Sequence, residues 1–213
     1  MPDPPYGAGY QTSGSYPQLS GAPGLDAVNS ALRALITGDQ QRARDGFKSY
    51  GPPAPGSGPG VYSSDPGLGR SSVGSAVVSY LIATTAIYPG GNDGDGWVSA
   101  TLLVPSAREV SISSLFDDPV KGLTAISTIA KDDIVATNSC LGQNVAEGDA
   151  ADALAPTEEN YSRFAMTPAG LSIGFEQGQL GGEACGRQVV TVGWDRIRPL
   201  LSAEGNKLVG ELR

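Results

Sequence analysis

Three adjacent carboxylate pairs, Asp117-Asp118, Asp132-Asp133 and Glu158-Glu159, are the clearest candidates for chemistry in the chain. Two carboxyl groups suffice for glycoside hydrolysis, one as acid and one as base or nucleophile. Neighbours in a helix or strand point in different directions, so an adjacent pair does not flank one bond. A working pair has to come from separate elements, and Glu176 and Glu183 are its candidates. Other routes to catalysis are narrower because the chain has no histidine. A serine triad needs a base that titrates near neutral pH, nearly always imidazole. Ser71, Ser72 and Ser114 therefore lack an activator, leaving a dyad with Lys121 or Lys131 as the remaining route. No Gly-x-Ser-x-Gly elbow, Ser-x-x-Lys or phosphate-binding loop occurs, and a zinc-protease helix needs histidine ligands. Asn92-Asp93-Gly-Asp95-Gly96 contains fragments of a calcium loop without its full ladder or distal glutamate, and turn chemistry accounts for each residue. The expectation is a protein that is not an enzyme and carries no metal or cofactor.

Composition narrows the partners. The net charge of −8 disfavours contact with phosphate backbones, which excludes nucleic acid as an expected partner. No stretch reaches the length and apolarity of a membrane span; Val73 to Tyr88 comes nearest and is broken by Gly, Ser and Thr. Trp97, Trp194, Tyr80, Tyr88 and Tyr161 can stack on a sugar ring or anchor a protein. Strand alternation puts about half of such residues inside, and Trp97 and Phe175 are assigned to the core. Tyr6, Tyr10 and Tyr16 are expected to be exposed. Cys140 and Cys185 leave two readings open, a bridge closing a loop of about 46 residues or two buried free thiols.

The elements that must position these groups follow from periodicity. The 30 glycines and 16 prolines concentrate in the first third, so the core falls to the later residues. Residues 1–14 are expected to be flexible, and Tyr16 to Ser20 to start an edge strand. Leu25, Val28, Leu32, Leu35 and Ile36 predict a helix, with Gly38 and Gly46 as points where it breaks or frays. Residues 51–60 are so rich in Gly and Pro that they read as a linker or insertion. Val73–Tyr88 and Trp97–Val104 predict a hairpin with a long tip, and Val110 to Ser113 a short extended piece. A helix from about Val120 buries Leu123, Ile126, Ile129, Ala130 and Ile134. Gly142 to Pro156 reads as irregular. Strands over Tyr161–Thr167 and Leu171–Gly178 flank the turn Thr167-Pro-Ala-Gly170, and Gln188–Gly193 is the last strand. Helical residues close the chain, with Pro199 lowering their continuity. The fold class is α+β, an antiparallel sheet with helices packed on one face.

The order of these elements resembles the RsiV-like family of bacterial envelope and secreted domains. The resemblance rests on Tyr16-Pro-Gln-Leu-Ser-Gly21 with the helix after it, on Val110-Ser-Ile-Ser-Ser-Leu-Phe-Asp117, and on Phe164–Phe175, Gly186 and Val189-Val-Thr-Val192. It covers roughly residues 14–205 outside the insertion, and implies one domain over residues 15–213. Relatives include the ectodomain of a lysozyme-sensing anti-sigma factor, accessory domains of peptidoglycan deacetylases and secreted mycobacterial immunogenic proteins. High Ala, Gly and Pro with low Lys suits an actinobacterial source. The export that the resemblance implies favours the bridge between Cys140 and Cys185. The Pro/Gly/Tyr/Ser-rich start is read as a tether behind a removed signal peptide.

Two departures from the family stand out. Its Gly-Gly-Ala-His tip is reduced here to Gly90-Gly91 followed by Asn92. The proline and tyrosine of its late loop are replaced at the positions of Gly182 and Glu183, which puts lysozyme sensing in doubt because a rigid aromatic contact is gone. The candidate binding residues are Glu176, Gln177, Gln179 and Glu183, on and beside that loop. The resulting expectation is a secreted or envelope-associated, non-catalytic binding domain for a protein, lysozyme-like or host, or for a cell-wall glycan. The alternative is a weak envelope hydrolase with a histidine-free site.

Overall fold

The computed structural model describes residues 10–21, 24–49, 58–89, 91 and 93–212. The expectations for residues 1–9 and for 51–57 lie outside these. Seven strands and five helices are assigned among the described residues: β1 Tyr10–Gly14, α1 Leu25–Ser49, β2 Gly60–Val73, β3 Val77–Ile87, β4 Asp93–Leu103, α2 Pro119–Thr137, α3 Gly142–Glu147, β5 Phe164–Thr167, β6 Gly170–Phe175, β7 Gln188–Val192, α4 Trp194–Ile197 and α5 Ala203–Gly210. The class is α+β. The strands form two sheets, in the orders β1-β2-β3-β4 and β5-β6-β7. The first sheet is mixed, because β1 runs parallel to β2; the second is antiparallel.

Side-chain alternation along the central strands shows how the layers stack. On β3, Val78, Tyr80 and Ile82 join Val28, Leu32 and Ile36 of α1 in one core cluster, together with Val98, Ala100 and Leu102 of β4. The opposite face of β3 and β4 presents Leu81, Ala83 and Trp97, which pack with Ala165 of β5. The second sheet turns its small residues toward the first, and its large ones, Phe164, Met166, Leu171, Ile173, Phe175, Val190 and Val192, toward α2. The helices lie on two outer faces, α1 on the first sheet and α2 on the second, so each sheet carries its helix on one face. All five apolar residues assigned to the buried face of α2 are buried.

Small residues set the spacing between the sheets. A Cβ at Gly174 of β6 would sit 2.7 Å from Trp97 Cγ and Cδ1. Polar contacts also cross this interface, where Ser72 Oγ donates to Met166 O at 2.6 Å and Met166 N–H donates to Ser79 Oγ at 2.8 Å. The indole N–H of Trp97 is shared between Phe175 O at 3.2 Å and Gln188 O at 3.1 Å. Buried donors and acceptors are costly when left unpaired, so these bonds fix which strand meets which.

Several local expectations are corrected. Tyr10–Gly14 forms β1, within the start read as irregular, whereas Tyr16 to Ser20 forms no strand. Instead, Tyr16 and Leu19 pack beside α1, and Asn29 ties to Leu19 through both main-chain groups, at 2.8 and 2.9 Å. Helix α1 runs unbroken through Gly38 and Gly46. Its C-terminal half is held by Phe47, whose ring meets Tyr88 edge-on at 5.0 Å and would touch any Cβ placed on Gly60. These contacts outweigh the helix cost of two glycines, about 1 kcal/mol each.

Strand β2 is absent from the sequence reading, which passes from the 51–60 segment to a strand at Val73; Pro66, Gly67 and Gly69 interrupt the alternation that marks a strand. The strand absorbs them in a register shift between Asp65 and Arg70 and then resumes pairing with β3. Helix α3 lies inside the stretch read as irregular. Pro199 ends α4 in a 3-10 turn, and α5 restarts from a Ser202 cap.

Candidate functional site

A cleft of about 310 Å³ opens where α1, the β2–β4 ends and the loop after β6 converge. Its polar lining comes from Asp39 and Arg42 of α1, Tyr62 of β2, Asp95 of β4, and Glu176 and Gln177 of the loop. Each carboxylate is held by an arginine. Asp39 Oδ1 accepts from Arg42 Nη2 at 2.9 Å, Asp95 Oδ1 lies 3.0 Å from Arg187 Nη1, and Glu176 Oε1 lies 2.8 Å from Arg163 Nη2.

Tyr62 is 2% exposed, and its phenol donates to Asp39 Oδ2 at 2.9 Å. Burial, and then the negative charge and hydrogen bond of Asp39, push the phenol well above its ordinary range, against a smaller opposing effect of Arg42. The hydroxyl therefore remains a fixed donor at any physiological pH. Asp95 also accepts from Thr85 Oγ1 at 2.6 Å. Arg187 donates to Thr84 O at 3.0 Å and lies over the Trp97 ring, 5.4 Å from its centroid.

Of the four residues singled out in the sequence, Glu176 and Gln177 line the cleft. Gln177 pairs with β4 as a strand residue would. Its N–H donates to Asp95 O at 2.9 Å, and its Oε1 accepts from Asp95 N–H at 2.9 Å. Gln179 and Glu183 brace the loop from within: Gln179 Oε1 accepts from Glu176 N–H at 2.9 Å, and Glu183 O accepts from Gln177 Nε2 at 3.2 Å.

The far end of the loop is pinned by the Cys140–Cys185 disulfide, with Cα atoms 5.9 Å apart. Asn138 reinforces the pin. Its Oδ1 caps the N–H groups of Cys140 and Leu141 at 3.0 Å each, and its Nδ2 donates to Gln188 Oε1 at 2.7 Å. Asp95 entered the sequence reading only as a fragment of a calcium loop, and the other cleft residues, Asp39, Arg42 and Tyr62, were not singled out as a site. The only signal for them was the i,i+3 spacing of Asp39 and Arg42, which reads as a solvated helix face.

Six of the remaining chemical candidates have structural partners. Ser72 is buried and bonds Met166, and Ser114 Oγ donates to Ser111 O at 2.7 Å. Asp118 caps α2, and hydrogen bonding to the Lys121 N–H holds its carboxyl below the usual range. Asp133 takes both its bonds from Arg196, at 2.9 and 3.1 Å. Glu158 accepts from Ser113 Oγ at 2.8 Å. Lys121 lies 3.3 Å from Asp118 Oδ2.

Among the described residues, no group of three or more His, Cys, Asp or Glu side chains is placed to hold a metal. Tyr80, Tyr161, Trp97 and Trp194 are buried, so they offer no face to a ligand. Tyr10 and Tyr16, expected to be exposed, are half-buried under the guanidinium groups of Arg44 and Arg33.

Two packed sheets flanked by helices, with a cleft walled by paired charges, define an α+β domain with a polar surface site. Residues 113–195 match the sequence profile of a family described as "Protein of unknown function (DUF3298)". Two crystal structures of members of that family share the fold. One, from Bacteroides fragilis NCTC 9343, is 16% identical at a TM-score of 0.51, over 86% of this chain and 66% of that one. The chain thus spans just under two thirds of that relative's length. The other, from Pseudomonas aeruginosa PAO1, is 10% identical at a TM-score of 0.53, over 85% of this chain and 80% of that one. No curated protein matches the chain. No helix among the described residues is long and apolar enough to cross a membrane.

Proposed function

We propose that this chain is a non-catalytic binding domain that works outside the cytoplasm, and that its recognition surface is the cleft between α1 and the loop after β6. The observation that carries this reading is the pairing of Asp39, Asp95 and Glu176 with Arg42, Arg187 and Arg163. Each pair sets a carboxylate against a guanidinium within hydrogen-bond reach. Such a wall presents acceptors and donors in set positions at little ordering cost, which suits recognition of a polar ligand.

The compartment is supported by the disulfide, since such bonds persist in oxidising surroundings. The RsiV-like resemblance supports the same reading, and the matched profile covers its C-terminal motifs. The ligand is a polar one, either a cell-wall glycan or the surface of a partner protein. With a net charge of −8, the protein would meet a basic partner faster than a neutral one.

Titration of the ¹⁵N-labelled protein with soluble peptidoglycan fragments, and separately with a lysozyme, tests this. One of these probes is expected to shift the amides of residues 94–96 and 176–183, with affinity falling at least tenfold in Gln177→Ala and Glu176→Ala. The reading is overturned if neither probe moves those amides. It is equally overturned by steady turnover of activated esters or peptidoglycan that disappears on changing Glu176 to Gln.

A further inference from the structure

Strand β7 ends the second sheet, and among the described residues no strand pairs with its outer edge. The ladder dictates which backbone groups face out. Gly174 donates its N–H to Arg163 O at 2.8 Å, so Gly174 faces β5 and its neighbours Ile173 and Phe175 face β7. Their cross-strand partners, Val190 and Gln188, therefore turn inward. Successive residues of a strand alternate, so Val189 and Thr191 hold their N–H and C=O groups away from β6. No hydrogen bond from another described residue reaches these groups.

The edges of β5 and β4 are taken up at several positions. The outward groups of Met166 on β5 are taken by Ser79 and Ser72. On β4, Val110 N–H bonds Thr101 O at 2.8 Å and Leu103 N–H bonds Arg108 O at 2.9 Å. Natural edges are also blunted by proline, charge or a bulge. Gln188–Val192 has no proline and no charge, and its pairing with β6 runs without a register shift.

A groove of about 400 Å³ runs beside this edge, between β7 and Ile134 and Thr137 of α2, with Asn138 just past the helix end. The one charged residue lining it, Asp133, is already neutralised by Arg196. We propose that this edge accepts an extended, uncharged segment of a partner polypeptide as a fourth strand, hydrogen-bonded to Val189 and Thr191, with alternate side chains entering the groove against Ile134. Free backbone groups in an extended row select an extended backbone, and the uncharged walls select uncharged side chains. A second copy of this chain fits less well, because it would bring its own α2 to the face that α2 already flanks. This surface is separate from the cleft.

The test uses the whole protein and a capped peptide of alternating threonine and valine with a lysine at each end for solubility. Amide exchange followed by NMR is expected to show at least tenfold protection of Val189 and Thr191 on adding the peptide, and the same peptide N-methylated at alternate residues gives none. Val189→Pro removes one outward donor and leaves the β6 ladder intact, so Kd rises at least tenfold. Gln177→Ala leaves it unchanged. The proposal is overturned if the N-methylated peptide binds as well, or if millimolar peptide protects neither amide. It is also overturned if both amides become protected without peptide as protein concentration and measured mass rise together, since the occupant is then a second copy.

Discussion

At the scale of single residues, the cleft is organised by Tyr62 and Asp39. The phenol donates to a carboxylate whose other oxygen is held by Arg42. Tyr62→Phe removes that donor from a buried position and leaves Asp39 one partner fewer. A cost of about 1–2 kcal/mol is expected, read as a lower midpoint in urea unfolding. Burial also raises the phenols of Tyr80 and Tyr161. All three groups bind their protons more tightly when folded than when unfolded. Their contribution is whole below the ordinary tyrosine value of about 10 and is lost as pH climbs from there toward the folded values. Stability is thus expected to fall steeply above about pH 10. Absorbance near 295 nm should show three of the eight tyrosines ionising only as the chain unfolds. Free titration of all eight ahead of unfolding would contradict the burial argument.

At the scale of elements, glycines separate two kinds of position. Gly38 lies inside α1, where an added Cβ would come no nearer than 3.9 Å to the Arg42 guanidinium. Gly38→Ala is expected to stabilise by up to about 1 kcal/mol, because the helix gains propensity and loses no space. Gly174 is the opposite case, for its Cβ would overlap the Trp97 ring. Gly174→Ala is expected to destabilise by about 1–3 kcal/mol and to perturb Trp97 fluorescence, since the sheets must part to admit a methyl group. Parallel urea titrations of the two variants check both signs. Propensity alone predicts a gain in helix for one and little for the other; only the sheet-to-sheet spacing predicts the size of the second effect.

At the scale of the molecule, one covalent link couples distant segments. The Cys140–Cys185 bond joins the turn after α2 to the loop that floors the cleft and leads into β7. Opening that loop in the unfolded chain frees up to about 4 kcal/mol of chain entropy. Urea midpoints with and without reductant are expected to differ by an amount of that order, and iodoacetamide is expected to add nothing before reduction. The periodicity of the sequence carried α2 with its whole buried face, the β5–β6 turn, the last strand, and the α+β class, because local apolar spacing is read by any element that has one wet and one dry side. The lack of histidine was equally legible, since a missing imidazole is missing in every fold. What the chain did not disclose was everything that depends on partners far apart in sequence. Strand β2 hides behind Pro66 and Gly67 because its identity comes from β3. The continuity of α1 through two glycines comes from Phe47, Tyr62 and Tyr88. The cleft exists because Asp39, Asp95 and Glu176 arrive from three elements, and Asp95 and Glu176 meet arginines, Arg187 and Arg163, that no spacing rule pairs with them. Sequence fixes which faces must be buried; only tertiary contact decides what each face is buried against, and sites are made where those choices meet.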